Sequence, residues 1–123
     1  MTHLSIALQE ERFSFRTGQD VSGTAAWSLE VPPESVELRI FWRTQGKGDE
    51  DVGIAETIVF QAPGREDKRE FRLRAPEGPY SFSGKLVSLL WAIEVVAEPG
   101  ALAGRAEITV SPTGEEVQLH AGT

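Results

Sequence analysis

The stretch Val36-Glu37-Leu38-Arg39-Ile40-Phe41-Trp42-Arg43 decides the fold class of this chain. Its aliphatic residues and Trp42 alternate with Glu37, Arg39 and Arg43, so that nearly every second side chain is apolar. Successive side chains of a β-strand point to opposite faces of the sheet, and this pattern is therefore typical of a strand with one buried face.

The same two-residue period recurs in six further segments, which lie within residues 4–8, 21–29, 52–60, 71–73, 87–95 and 106–110. Turn-forming sequences such as Val31-Pro32-Pro33-Glu34 and Glu98-Pro99-Gly100 separate them. No segment shows apolar residues at helical spacing with caps at both ends. About seven or eight short strands joined by turns predict an all-β, immunoglobulin-like antiparallel β-sandwich.

Length and composition narrow the functional classes. The chain has 123 residues, 40% of them hydrophobic, which suits one domain spanning 1–123. We expect the tail 114–123 to fray, unless Val117 and Leu119 add a last edge strand. The net charge of −7 argues against nucleic-acid binding through phosphates. With no cysteine, no visible signal peptide and no apolar run long enough for a bilayer, the expected location is the cytoplasm, without membrane insertion.

Three segments resemble the N-terminal domain of arrestin-like proteins. The first, Phe15-Arg16-Thr17-Gly18-Gln19-Asp20-Val21-Ser22-Gly23, is similar to the family's turn leading into a Val-x-Gly strand. The second is the strand 36–42. The most specific is the segment 71–85, in which Phe-x-Leu is followed by Ala75-Pro76-Glu77-Gly78-Pro79-Tyr80-Ser81-Phe82-Ser83-Gly84-Lys85 and then by a long strand. We expect the prolines to keep this connection extended, with Tyr80 and Phe82 tucked beneath it.

The resemblance implies an arrestin-type topology and a non-catalytic adaptor or scaffold role. The closest analogy is the broad clan that includes retromer-type subunits and bacterial sporulation-control proteins. Thr17 stands where the family has proline, and the first strand, His3-Leu4-Ser5-Ile6-Ala7-Leu8-Gln9, has no lysine pair. Phosphate sensing by visual and receptor arrestins is therefore not expected here. Members bind proteins, but a fold alone does not fix a function.

The strand phases separate core residues from candidate site residues. Trp27, Trp42 and Trp91 share the parity of aliphatic neighbours, so all three are expected in the core. Phe41 has the opposite parity. An exposed Phe41 between Arg39 and Arg43 predicts a partner-binding patch, although a neighbouring loop or the tail could also cover the ring.

Other candidate sites are less specific. The run Asp49-Glu50-Asp51 is interpreted as a solvated hairpin tip; a cation or a basic partner is the alternative. His3 and His120 are interpreted as exposed, and Ser81 and Ser83 as turn residues. No nucleophile elbow or cluster of titratable groups predicts an enzyme, and no cofactor or metal is predicted.

Two functional hypotheses remain open. The leading hypothesis is a protein-interaction adaptor that uses an open sheet edge or an outward face, with a homodimer through an edge strand as one form of it. The alternative is a small-ligand or carbohydrate-binding module, for which the sequence offers only Phe41 and Tyr80 as outward aromatic residues.

Overall fold

The structure is a computed structural model that describes residues 2–46, 50–83, 87–111, 113 and 117–118. Ten strands cover most of this part of the chain, together with one short 3-10 helix, Gln9–Glu11. The strands are β1 His3–Leu8, β2 Ser14–Arg16, β3 Asp20–Ser28, β4 Ser35–Gly46, β5 Val52–Val59, β6 Glu66–Arg74, β7 Phe82–Ser83, β8 Val87–Glu98, β9 Leu102–Ser111 and β10 Val117–Gln118. The seven longest strands correspond to the seven segments that alternate in sequence, which confirms the all-β prediction.

The strands form two sheets. The smaller sheet is antiparallel, with the order β1-β3-β6. The larger sheet is built on the antiparallel order β5-β4-β8, and the far side of β8 pairs with β7 near its beginning and with β9 further along. Two short pairings, β2 with β9 and β10 with β7, are parallel. The two sheets therefore make a β-sandwich in which parallel pairing is confined to short strands.

The core lies between the inward faces of the two sheets. Val36, Leu38 and Ile40 on β4 are fully buried, as their alternation predicts. Trp91 on β8 has no exposed surface, and its Nε1–H donates to the carbonyl oxygen of Pro79 at 2.7 Å. Trp27 is also buried, whereas Trp42 is half-buried and packs against the core. The core prediction is confirmed for all three indoles, with Trp42 at the margin.

The connection between β6 and β8 is fastened to the sheets by hydrogen bonds. The Ser81 N–H donates to the Val110 carbonyl at 2.7 Å, and the Val110 N–H donates to Ser81 Oγ at 3.0 Å. Ser81 is therefore buried and hydrogen-bonded to β9. The prediction that it is a turn residue is wrong. Phe82 packs against the core as expected, but Tyr80 is 43% exposed, and its expected burial is wrong. The indole of Trp91 holds the connection from below instead, through the Pro79 carbonyl.

The tail contributes part of the expected edge strand. Val117 pairs with Phe82 in a parallel register, so an added strand is confirmed at this residue. Leu119 and the rest of the predicted tail strand lie outside the described residues. Within the described residues, no helix has the length and apolar character needed to cross a membrane.

Candidate functional site: the β5 edge and the outer face of the larger sheet

Arg39, Phe41 and Arg43 lie on the face of the larger sheet that points away from the smaller sheet, as their parity predicts. We call this the outer face. The expected exposure of Phe41 is wrong, however, because only 7% of this residue is exposed. The guanidinium carbon of Arg105, on β9, lies 5.3 Å from the centre of the Phe41 ring. Ala92 on β8 is the register partner of Phe41, and its small side chain lets Arg105 reach across it.

The charged residues of this face are paired with one another. Arg39 contacts Glu37 at 3.1 Å, and Arg105 contacts Glu94 at 2.8 Å. Arg43 lies 3.5 Å from Glu107, whose side chain is 64% exposed. Exposed pairs of this kind contribute little to stability and exchange partners readily. Binding of a partner at Arg39, Phe41 and Arg43 therefore stays a prediction, in which the two arginines would contact the partner while the Phe41 ring lies beneath Arg105.

A β-bulge in β5 changes the direction of its side chains. Leu38 pairs with Ile58 and Ile40 pairs with Glu56, but the next residue, Phe41, pairs with Ile54. Ala55 is therefore one residue more than β4 can match. An extra residue on one strand reverses the alternation beyond it. Before the bulge the even-numbered residues of β5 therefore point to the outer face, and after it the odd-numbered residues do.

The reversal turns apolar residues outward. The sequence assigned Val52 and Ile54 to the same buried face as Ile58 and Phe60. That assignment is right for Phe60, which is buried, and for Ile58, which packs against the core. It is wrong for Val52 and Ile54, which are 63% and 57% exposed because the bulge places them beside Arg43 and Phe41 on the outer face.

Gly53 occupies the inward position opposite Trp42 that Ile54 would fill if the bulge were absent. A Cβ atom on Gly53 would lie 2.3 Å from Trp42 Nε1, so the indole rests directly on the glycine backbone. Any larger residue at position 53 would force the indole to move. Four residues of β5 thus remain on the outer face: Val52, Ile54, Thr57 and Val59. We call these four residues the outer row.

The outer row also carries the free backbone groups of β5. The Phe60 N–H donates to the Val36 carbonyl at 3.0 Å, and the Thr44 N–H donates to the Asp51 carbonyl at 2.9 Å. Residues of an antiparallel strand alternate between those bonded to one neighbour and those directed away from it. Counting from Phe60 and from Asp51, the outer row directs its N–H and C=O groups away from β4. This side of β5, which pairs with no described strand, is the β5 edge.

The edges of the smaller sheet are different. Along β6, charged residues of both signs follow one another closely, which is a common way of protecting an edge from pairing. The edge at β1 is approached by β9, since a Cβ atom on Gly104 would lie 2.3 Å from the Leu4 carbonyl oxygen. Neither protection applies to the β5 edge, where Val59 is 52% exposed and the only charge within β5 is Glu56.

The sequence carries a local irregularity at this site. Glu56 interrupts the apolar parity of the segment 52–60, and Val59 stands beside Ile58, so two adjacent apolar residues must point in opposite directions. An interrupted parity is what an inserted bulge residue produces. Thr57 and Val59 were not among the predicted site residues.

The remaining candidate residues do not come together. Glu50 and Asp51 are exposed, and Asp49 lies outside the described residues, so the choice between a cation and a basic partner at this loop stays open. His3 is exposed on β1. His120 and the side chain of Ser83 lie outside the described part of the structure. In the described part of the chain, no three acidic or histidine side chains cluster as metal ligands would.

Among the described carboxyl groups, Asp67 has the most strongly shifted pKa, and the cause is its hydrogen bonding within the fold. Asp67 accepts hydrogen bonds from Arg69 at 2.8 Å, from the Gly64 N–H at 3.3 Å and from the Lys68 N–H at 2.9 Å. These bonds, that of Arg69 above all, lower the pKa of Asp67 from 3.8 to about 2. The carboxylate ties the β5–β6 turn to the start of β6, and a group held ionised in this way is a poor general acid or base near neutral pH.

A groove of about 610 Å³ lies on the smaller sheet, where β1, β3 and β6 run side by side. Ser22, Thr24, Glu70 and Arg72 supply polar groups to its lining. Its lining also includes Gly23, whose missing Cβ would meet the Ala7 carbonyl oxygen and the Phe71 ring. The groove is wide open, and a ligand there would keep much of its surface in water.

These features define the class of protein: an arrestin-like β-sandwich whose β5 edge pairs with no described strand. Among solved structures the chain is similar to that of Spo0M, a sporulation control protein from Bacillus subtilis, with a TM-score of 0.64 and 17% sequence identity. The match covers 89% of this chain and 49% of the Spo0M chain, so the chain spans about half the length of that protein. At this identity the likeness shows the fold alone. No protein-family model and no curated protein sequence matches.

Proposed function

We propose that this chain is a non-catalytic protein-interaction domain of the cytoplasm, which binds an extended segment of a partner along the β5 edge. The observation that carries the proposal is the outer row, where free backbone groups and exposed apolar side chains occur on the same four residues. A strand added to such an edge gains ladder hydrogen bonds from the backbone and specificity from alternate side chains.

The neighbouring outer face supports this role. Thr57 pairs with Arg39, and Val52 pairs with Arg43, so both arginines lie one strand behind the edge. Their present partners are exposed or half-exposed carboxylates, which a partner's acidic side chain can replace at small cost. We therefore expect bound segments to combine apolar residues at alternate positions with an acidic residue that reaches Arg39 or Arg43.

Peptide selection tests the proposal without knowledge of the natural partner. A displayed library of random peptides is selected against the protein, and the affinities of the enriched peptides are measured at about 1 μM protein. The variant Thr57→Pro removes one outward N–H from the β5 edge and leaves the bonds to β4 in place. The matched variant Thr57→Val keeps that N–H. We expect peptide affinity to fall at least tenfold in Thr57→Pro and to be nearly unchanged in Thr57→Val.

Hydrogen exchange locates the bound peptide. Slower exchange at the amides of the outer row is the expected result, because these N–H groups would become ladder donors. If Thr57→Pro does not fold, as judged by its circular dichroism and melting temperature, Ile54→Lys serves as the second variant. Protection at β6 instead, or equal affinity of the proline and valine variants, would contradict the proposal.

The groove on the smaller sheet favours a second candidate, a small-ligand or carbohydrate-binding module. Its polar residues, such as Ser22 and Arg72, resemble those that bind sugar hydroxyls. A thermal-shift screen against sugars and divalent cations tests this candidate. A reproducible rise in melting temperature that Arg72→Ala abolishes would support it, and its absence leaves the β5 edge as the site.

A further inference from the structure

We propose that the β5 edge binds the β5 edge of a second copy of this chain, so that two protomers form one continuous antiparallel sheet across a two-fold axis. This inference rests on the proposed function and names the partner. In the proposed register, Val52 of one copy lies opposite Val59 of the other, and Ile54 lies opposite Thr57.

The outer row is self-complementary in this register. Reading β5 forward gives Val52, Ile54, Thr57 and Val59, and reading it backward gives Val59, Thr57, Ile54 and Val52. Each valine therefore meets a valine, and each isoleucine meets a threonine. Cross-strand pairs of β-branched residues are favourable in antiparallel sheets. A partner of unrelated sequence has no such relation to the row.

The backbone groups match in the same register. All four residues of the outer row direct their N–H and C=O groups toward the β5 edge, so each facing pair can exchange two hydrogen bonds. The bulge makes this possible. Ala55 and Glu56 separate Ile54 from Thr57 on both copies, and the irregular parts of the two strands therefore face each other without displacing the pairs on either side.

The charges avoid conflict near the axis. Glu56 is the only charged residue within β5, and it lies opposite Ala55 of the second copy and not opposite its own counterpart. Each copy carries a net charge of −7, so the two protomers repel one another at long range. Salt screens such repulsion over about 8 Å at 0.15 M ionic strength. We expect the dimer to tighten as salt rises, whereas a dimer held by ion pairs along β6 would weaken.

The interface is short, and the dimer should be weak. Four facing pairs on one strand bury less surface than stable dimers do. We expect a dissociation constant on the order of 10–100 μM, which makes the equilibrium concentration-dependent in the range accessible to sedimentation.

Cysteine cross-linking tests the register directly, because the natural sequence has no cysteine. Val52→Cys and Val59→Cys are prepared as separate proteins. In a hydrogen-bonded antiparallel pair the Cα atoms lie about 5.5 Å apart, within the range of a disulfide. Two copies of the same variant would hold their cysteines seven residues apart along the ladder, about 24 Å. We expect the mixture to form disulfide-linked dimers at least tenfold faster than either variant alone. Equal rates would overturn the register.

Sedimentation of the full chain tests the dimer itself. The wild type and Thr57→Val should show a concentration-dependent dimer, and Thr57→Pro and Ile54→Lys should remain monomeric up to about 1 mM. A wild type that is monomeric at that concentration, or a dimer that survives both variants, would overturn self-pairing. If the wild type is monomeric while selected peptides still protect the outer row, self-pairing fails and strand binding at the β5 edge stands. If neither a dimer nor peptide protection is found, both proposals fail.

Discussion

Replacing Phe41 by alanine tests whether its ring is covered by Arg105 or is exposed as part of a partner-binding site. A phenylalanine buries about 150–250 Å² when it is enclosed, and Phe41 is only 7% exposed. At about 25 cal/mol per Å², removing its ring from water is worth roughly 4–6 kcal/mol, which is an upper bound because unfolded chains already bury some apolar surface. The stem of Arg105 can also move into the vacated space. We expect Phe41→Ala to lower the free energy of unfolding by about 2–3 kcal/mol.

Two further variants divide this loss into its parts. Phe41→Leu keeps most of the apolar area but removes the ring face below the guanidinium, and it should cost about 1 kcal/mol. A double-mutant cycle with Arg105→Ala should give a coupling energy of about 0.5–1 kcal/mol. Urea denaturation followed by circular dichroism at 25 °C measures all of these values. If Phe41→Ala lowers the free energy of unfolding by less than about 0.5 kcal/mol, the ring is open to solvent. That result would refute the inference that Arg105 covers the ring.

Three other measurements check the core, the approach of β9 to β1 and the turn before β6. Trp91→Ala should cost about 3–5 kcal/mol in urea denaturation, because Trp91 is fully buried; a loss below about 1 kcal/mol would place the ring outside the core. Gly104→Ala should cost about 2–3 kcal/mol, since its Cβ would lie 2.3 Å from the Leu4 carbonyl oxygen, and an unchanged melting temperature would show that β1 and β9 are further apart. The pKa of Asp67 is lowered to about 2, so its carboxylate stabilises the fold above pH 4, and this contribution is lost as the pH falls from about 4 to 2. Titration by NMR should give a midpoint near 2, Asp67→Asn should flatten the pH dependence of stability in this window, and a midpoint near 4 would contradict the hydrogen bonding described.

The alternation of apolar residues was sufficient to predict the long strands and the core. Val36, Leu38 and Ile40 are buried in succession, as their spacing required, because a regular strand has no other way to place them on one face. The parity of Phe41 likewise predicted its place on the outer face. The cover over its ring was not predictable. Arg105 lies more than sixty residues later in the chain, and it comes near Phe41 only because of the order of the strands in the larger sheet.

The site itself depended on features that alternation alone does not decide. A single extra residue, Ala55, reversed the phase of Val52 and Ile54, and alternation alone treats both phases as equivalent. The short strands β2 and β7 were also missed, because two or three residues are too few to show a period and their pairing is decided by the surrounding sheet. Ser81 was assigned to a turn on composition, although a tertiary contact with Val110 determines its role.

The unequal edges of the two sheets limit how far assembly can proceed. Fibres require each molecule to offer two docking sides, so that every newcomer leaves another place open. Here β6 carries charges of both signs and β9 approaches the edge at β1, so neither edge of the smaller sheet resembles the β5 edge. If two copies pair as proposed, growth is expected to end at the pair, and a higher concentration should produce more pairs and not longer polymers.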